Sequence, residues 1–155
     1  MKKLFLAALV GMSLLGSVVQ ADYLKIRGVA TGSGLNRDGK VVLPSAYDNQ
    51  RPGKHIPILL DHDYSTEAAI GVVTGLFNMG DRQEYEAIIP INVKTVEIVD
   101  KIMNGVLRNT SIGFVSSSKE ANLPIITKLD LMEISLVAVP KDPASVIFKA
   151  EIIKE

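Results

Sequence analysis

Residues 68–91, "AAIGVVTGLFNMGDRQEYEAIIPI", hold two apolar-rich runs on either side of Asn78, Met79, Gly80 and Asp81. The first is rich in Val, Thr, Leu and Phe, and the second sets Tyr85, Ala87 and Ile89 in alternation with charged or apolar neighbours. Strand-forming residues around an Asn/Gly/Asp turn predict two strands joined by that turn. Working outward, residues 23–31, "YLKIRGVAT", alternate as a half-buried strand does. In "GSGLNRDGKVVLP" (32–44), Asp38 and Gly39 supply a turn before a short apolar run that Pro44 closes. These glycines make no phosphate loop, because no Gly-Lys-Ser/Thr ending and no helix follows. Residues 55–62, "HIPILLDH", read as a strand delivering His62 at its carboxyl end. Later come "TSIGFVSSS" (110–118), "ITKLDLMEISLVAV" (126–139) bounded by Pro140, and "SVIFKAEII" (145–153). One helix stands out in "VKTVEIVDKIMNG" (93–105). Val96, Val99, Ile102, Met103 and Val106 recur at helical spacing, Asn92 can cap the start and Gly105 can stop the end. The expected fold is mostly β with one substantial helix (α+β), a single curved-sheet or barrel domain.

Composition narrows the function classes. At 155 residues with 47% hydrophobic positions, the chain suits one core. Lys plus Arg equal Asp plus Glu at 17 each, so no net field recruits nucleic acid or anionic membrane. Cysteine is absent, which excludes disulfides, thiolate zinc sites and a cysteine nucleophile. Tryptophan is absent too, and the sparse aromatics argue against a base-stacking platform.

The amino terminus has the three-part layout of a secretory signal: Lys2 and Lys3, an apolar stretch from Leu4 to Leu15, and small residues ending at Ala21. That stretch falls short of the roughly 20 apolar residues of a membrane-spanning helix. The expected division is a leader over 1–21, cleaved after Ala21, and a domain over 22–155 without a stable membrane span. The competing reading is a translated upstream region or an anchor helix ahead of Asp22.

Three polar residues interrupt apolar runs, and burying such groups costs roughly 1–3 kcal/mol unless partners are supplied. Glu133 has apolar residues on both alternating faces, Ser111 is followed by Ile112, Phe114 and Val115, and His62 ends an isoleucine-leucine run. Serine, histidine and carboxylate on separate strands are the parts of nucleophilic acyl transfer: the histidine takes the serine proton and the carboxylate fixes the histidine tautomer. The residue types alone leave other roles open. His62 could pair on the surface with Asp61 or Asp63, or join His55 and these aspartates at a metal. Ser111 could bond to backbone, and Glu133 could pair with a lysine or arginine.

Four segments in order resemble the HK97-type tailed-phage prohead (capsid maturation) serine proteases, which are related in fold to the herpesvirus assembly proteases. They are "IRGVATGSGLNRDGKVVLPSAY", "IPILLDHD" followed by "IGVV", "TSIGF", and "LMEISLVAVPKDPAS". The resemblance spans Tyr23 to Ile147. It implies Ser111 as nucleophile, His62 as general base and Glu133 as the residue orienting His62. The herpesvirus relatives place a second histidine in that third role, and no histidine follows His62 here. Asp61 and Asp63 compete for it, although neighbours in a strand point to opposite faces.

The implied activity is a serine endopeptidase, without cofactor or metal, that cuts the scaffold or the scaffolding segment of the major capsid protein, and itself, during prohead maturation. The viral relatives also imply a homodimer. The expected location is the host cytoplasm, inside the assembling prohead, whereas the leader read literally directs Sec export. Alternatives from other classes are an exported non-catalytic β-barrel binding protein and an inactive capsid-assembly scaffold with the protease fold.

Overall fold

A computed structural model of the protein describes residues 21–116 and 122–155, so the leader over 1–20 and the end of the predicted serine strand at Ser117 and Ser118 lie outside the described residues. In chain order the elements are β1 (Tyr23–Thr31), β2 (Val41–Val42), β3 (Pro57–Leu60), β4 (Gly71–Asn78), β5 (Gln83–Pro90), α1 (Val96–Met103), β6 (Asn109–Val115), β7 (Ile125–Ile126), β8 (Asp130–Val137) and β9 (Ile147–Ile153). Seven strands form one sheet in the order β6-β8-β3-β4-β5-β1-β9, and β2 pairs with β7 in a second, two-stranded sheet. Neighbours in the large sheet are antiparallel except β3 and β8, which run parallel. Among the described residues the expected β-rich domain with one α-helix is the observed one, with short 3-10 turns at Pro44–Tyr47 and Thr66–Ala68.

The sheet curls because its two edges meet at one end. Asn109 bridges to Val146, Ile147 N–H donates to the Arg108 carbonyl at 2.8 Å and Thr110 N–H to the Ser145 carbonyl at 3.1 Å. The result is a half-barrel wrapped around Leu24, Ile26, Ile58, Tyr85, Ile89, Leu131, Ile134 and Leu136. Each such buried side chain contributes about 1.5–3 kcal/mol through loss of apolar surface from water. Two polar ties stay dry inside it: Tyr85 Oη donates to Thr110 Oγ1 at 3.3 Å, and the Tyr47 and Thr31 hydroxyls lie 2.9 Å apart.

Two local expectations need correction. Helix α1 buries Val99 and Ile102, while Val96, Met103 and Val106 are exposed. A helix of eight residues offers only a narrow buried stripe, and Val106 lies past its end, beyond Gly105 in the left-handed region (φ 74°). Asn92 acts one turn early, accepting from the N–H groups of Lys94 and Thr95, and Thr95 is the residue at the cap. The second correction concerns His62. Strand β3 stops at Leu60, so His62 sits in the turn beyond it.

Candidate active site

The turn begins where the apolar run ends. Asp61 and His62 both have positive φ (52° and 56°), and Asp63 N–H returns to the Leu60 carbonyl at 2.9 Å. Two successive left-handed residues closed by this bond form a tight turn of the primed type. Asp and His are among the non-glycine residues that tolerate this conformation best, so "DHD" is a local solution to reversing the chain. The turn is tied to β8 twice: Asp61 N–H donates to the Leu136 carbonyl at 3.1 Å, and His62 N–H donates to Ser135 Oγ at 2.9 Å.

This anchorage brings the imidazole over Glu133. Nδ1 lies 3.0 Å from Oε1 and 2.9 Å from Oε2. The Glu133 side chain is only 1% exposed, against 40% for His62. A carboxylate accepts, so Nδ1 carries the hydrogen, and Nε2 of the neutral ring keeps its lone pair for a proton from elsewhere. The hydrogen bond to Glu133 raises the His62 pKa above the ordinary 6.5, with the Glu133 and Asp61 charges acting in the same direction; partial burial and the Lys141 charge oppose it.

Glu133 is aimed by an irregularity in the ladder. Gly113 pairs with Glu133 but Phe114 pairs with Leu131, so Met132 is an extra residue on β8. Such a bulge bends a strand and redirects its side chains. The space for the carboxyl comes from Gly113: a β-carbon built there would lie 2.7 Å from Glu133 Cδ and 3.0 Å from Oε1. A glycine within a strand marks a place where another group comes close to the backbone. The approaching group is the Glu133 side chain.

Ser111 is the cross-strand partner of Ser135, one pair along from Gly113 and Glu133. It is 6% exposed and lines a cavity of about 110 Å³ with Val42, Phe114, Ile126 and Lys141. Among the described residues the Ser111 hydroxyl makes no hydrogen bond to the imidazole; Ser111 and His62 are joined through β8 rather than directly. Serine and glutamate thus lie on the neighbouring strands β6 and β8 and the histidine in the turn after β3, the next strand of the sheet.

The competitors are placed elsewhere. Asp61 and Asp63 are exposed, and Asp63 Oδ1 accepts from Ser65 N–H at 2.9 Å. His55 lines a separate open groove with Arg51, Lys54 and Leu76. Among the described residues no group of three or more His, Cys, Asp or Glu side chains is arranged to hold a metal ion. Sequence reasoning passed over Ser135, whose signal was its position two residues from Glu133, on the same strand face, between Ile134 and Leu136.

Known proteins share this architecture. The protease of Kaposi's sarcoma-associated herpesvirus, solved with a hexapeptide phosphonate inhibitor, superposes with a TM-score of 0.57 at 14% identity, covering 88% of this chain and 66% of that one. The varicella-zoster virus protease gives 0.51 at 13% identity, covering 84% and 64%. The chain therefore spans just under two thirds of the length of these neighbours, and at such identity the likeness shows the fold. No curated protein sequence matches. The family model described as caudovirus prohead serine protease matches residues 30–155, which include β3 to β9 and with them Ser111, His62 and Glu133. By that match, this chain belongs to the caudovirus prohead serine protease family.

Proposed function

We propose that the domain over residues 22–155 is a serine endopeptidase of phage prohead maturation, with Ser111 as nucleophile, His62 as general base and Glu133 as the residue that orients it. The observation that carries this reading is the fixed tautomer: Glu133 holds Nδ1–H and, among the described residues, leaves Nε2 free, on a turn anchored to the strand beside Ser111. In the proposed reaction Ser111 Oγ attacks a peptide carbonyl while its proton passes to His62 Nε2. Collapse of the tetrahedral intermediate breaks the C–N bond, and the same proton goes to the leaving amine. Water then attacks the acyl-enzyme, giving its proton to Nε2, and Ser111 recovers the proton as the acid departs. The buried carboxylate stabilises the imidazolium formed in each half-reaction.

Family membership supports a capsid-protein scaffolding segment as substrate and self-cleavage as a second event, both in the host cytoplasm within the assembling shell, with a homodimer as the working assembly. That location requires that residues 1–21 do not direct export of the functional protein. The chemistry is tested by mass spectrometry after a fluorophosphonate probe. A Ser111 adduct in the parent that is absent from His62→Ala establishes the activated serine. No adduct on Ser111, including under conditions that promote association, gives the lead to an inactive scaffold or a binding protein.

A further inference from the structure

Ser135 is fully buried and makes two bonds that the proposed triad does not require of it. Its Oγ accepts from His62 N–H at 2.9 Å and donates to Glu133 Oε2 at 3.0 Å, the same oxygen that lies 2.9 Å from His62 Nδ1. A hydroxyl has one hydrogen to give and lone pairs with which to accept, so one group satisfies both partners. It also stands directly across the ladder from Ser111. We infer that Ser135 is a positioning residue of this site: its hydroxyl locks the left-handed His62 turn to the sheet and shares the Glu133 carboxylate with the imidazole. This rests on the triad reading given above, and it adds to that reading a fixed link between the base, its orienting carboxylate and the strand of the nucleophile.

Two consequences follow from the chemistry. The turn holds two non-glycine residues at positive φ, a conformation that costs free energy unless its surroundings enforce it; the bond from His62 N–H supplies enforcement at the histidine itself. The Ser135 hydrogen also draws charge density from Oε2. Without it the carboxylate would hold the imidazolium more tightly, and the His62 titration would move to higher pH. The other charges acting on His62 are Lys141, which opposes protonation, and Asp61, which favours it; neither is bonded to Ser135.

The chain has two histidines, so imidazole NMR resolves His62 from His55 in the full-length protein. In Ser135→Ala the His62 titration should move up in pH and fluorophosphonate labelling of Ser111 at neutral pH should slow roughly tenfold, the effect of one lost hydrogen bond. Ser135→Thr, which keeps the hydroxyl, should restore both. In the parent, the His62 amide should exchange slowly with solvent despite lying in a partly exposed turn, a measurement that needs no variant. A folded Ser135→Ala whose His62 titration and labelling match the parent, or fast exchange of the His62 amide in the parent, would reduce Ser135 to packing and overturn the inference. The titration and exchange are read whether or not Ser111 reacts, so failure of the triad reading shows separately, as absent labelling.

Discussion

Among the described residues two carboxylates on strands of the large sheet are buried, and they are held in opposite ways. Glu84 on β5 and Glu133 on β8 have side chains 4% and 1% exposed. Glu84 is clasped by two guanidiniums. Arg27 Nε donates to Oε1 at 3.0 Å and Arg82 Nε donates to Oε2 at 2.7 Å, and Arg27 also lies 4.2 Å from the centroid of the Phe77 ring. Guanidiniums do not lose their charge at any ordinary pH, so Glu84 is compensated permanently. Glu133 has a neutral hydroxyl and an imidazole. Its compensation appears and vanishes with one proton on His62, which suits the orienting role proposed for it and would not serve a purely structural carboxylate.

The sharpest way to break the comparison is Glu133→Gln. The amide can present an N–H to Nδ1 and so favour the wrong tautomer, and it removes the charge that stabilises the imidazolium. Labelling of Ser111 should fall by roughly 10³–10⁴-fold, as in triads whose acid is made an amide. The acid limb of the labelling rate should also move. In the parent, the base is neutral only above the raised His62 pKa; in the variant, the limb should shift downward as the principal cause of that rise is lost. Stability should follow the same sign. Because the His62 pKa is raised on folding, its contribution is fully present below about 6.5, the ordinary value, and fades as pH rises through the folded value. Urea unfolding as a function of pH should show this fade in the parent and not in Glu133→Gln. A Glu133→Gln protein that labels like the parent would move the orienting role elsewhere.

The contrast also explains how much could be read from the sequence. Strand periodicity gave β1 over Tyr23–Thr31 and the β4–β5 hairpin closely, because alternation and turn residues are local. Glu133 was conspicuous because both faces of its run are apolar. Glu84 was not, since "RQEYEA" reads as one polar and one apolar face. One of its two partners, Arg82, is local, but the other, Arg27, comes from the neighbouring strand β1, which no local pattern shows. The left-handed turn at His62 was hidden for a related reason. "LLDHD" continues an apolar run without a glycine, and the turn is held in the folded chain by the Asp63–Leu60 bond and by anchors to Leu136 and Ser135 that no local pattern announces. The order of β3 beside β8, which makes the site, is set by a parallel pairing across more than seventy residues.

Gly113→Ala sharpens the comparison from the side of packing. The new methyl would lie 2.7 Å from Glu133 Cδ, and the carboxyl cannot retreat without giving up its bonds to His62 and Ser135. Overpacking of this kind costs about 1–3 kcal/mol, and a carboxylate displaced by about 1 Å should slow labelling roughly 10- to 100-fold. Denaturant unfolding and probe kinetics together separate the two effects. A variant that loses stability but keeps the parent labelling rate would show that the position of Glu133 is not critical.

Glu84→Gln is the converse experiment. It takes the shared anion from Arg27 and Arg82, but Arg82 keeps Asp81 at 3.0 Å and both guanidiniums are partly exposed, with side chains 29% and 40% accessible. The expected loss of about 1–3 kcal/mol therefore lies between the values for surface pairs and for broken buried pairs. Ser111 labelling of the folded protein should not change. A labelling defect in a variant that is still folded would mean that the two carboxylates communicate through the sheet.

The smallest expected effect belongs to Asp61→Asn. Asp61 is exposed and is the weakest of the influences on His62, acting only through its charge. Asparagine tolerates the left-handed backbone as aspartate does, so the turn should persist and Ser111 labelling should stay within about twofold of the parent, as suits a solvent-screened charge. The His62 titration should move slightly downward, in the same direction as in Glu133→Gln but by much less. Asp61→Val keeps no charge either, and it also forces a β-branched residue into positive φ, at about 1–2 kcal/mol. If the two variants slow labelling equally, the charge of Asp61 matters to the base. If only Asp61→Val does, the first aspartate of "DHD" is there for its backbone, and Glu133 alone is the carboxylate that the histidine answers to.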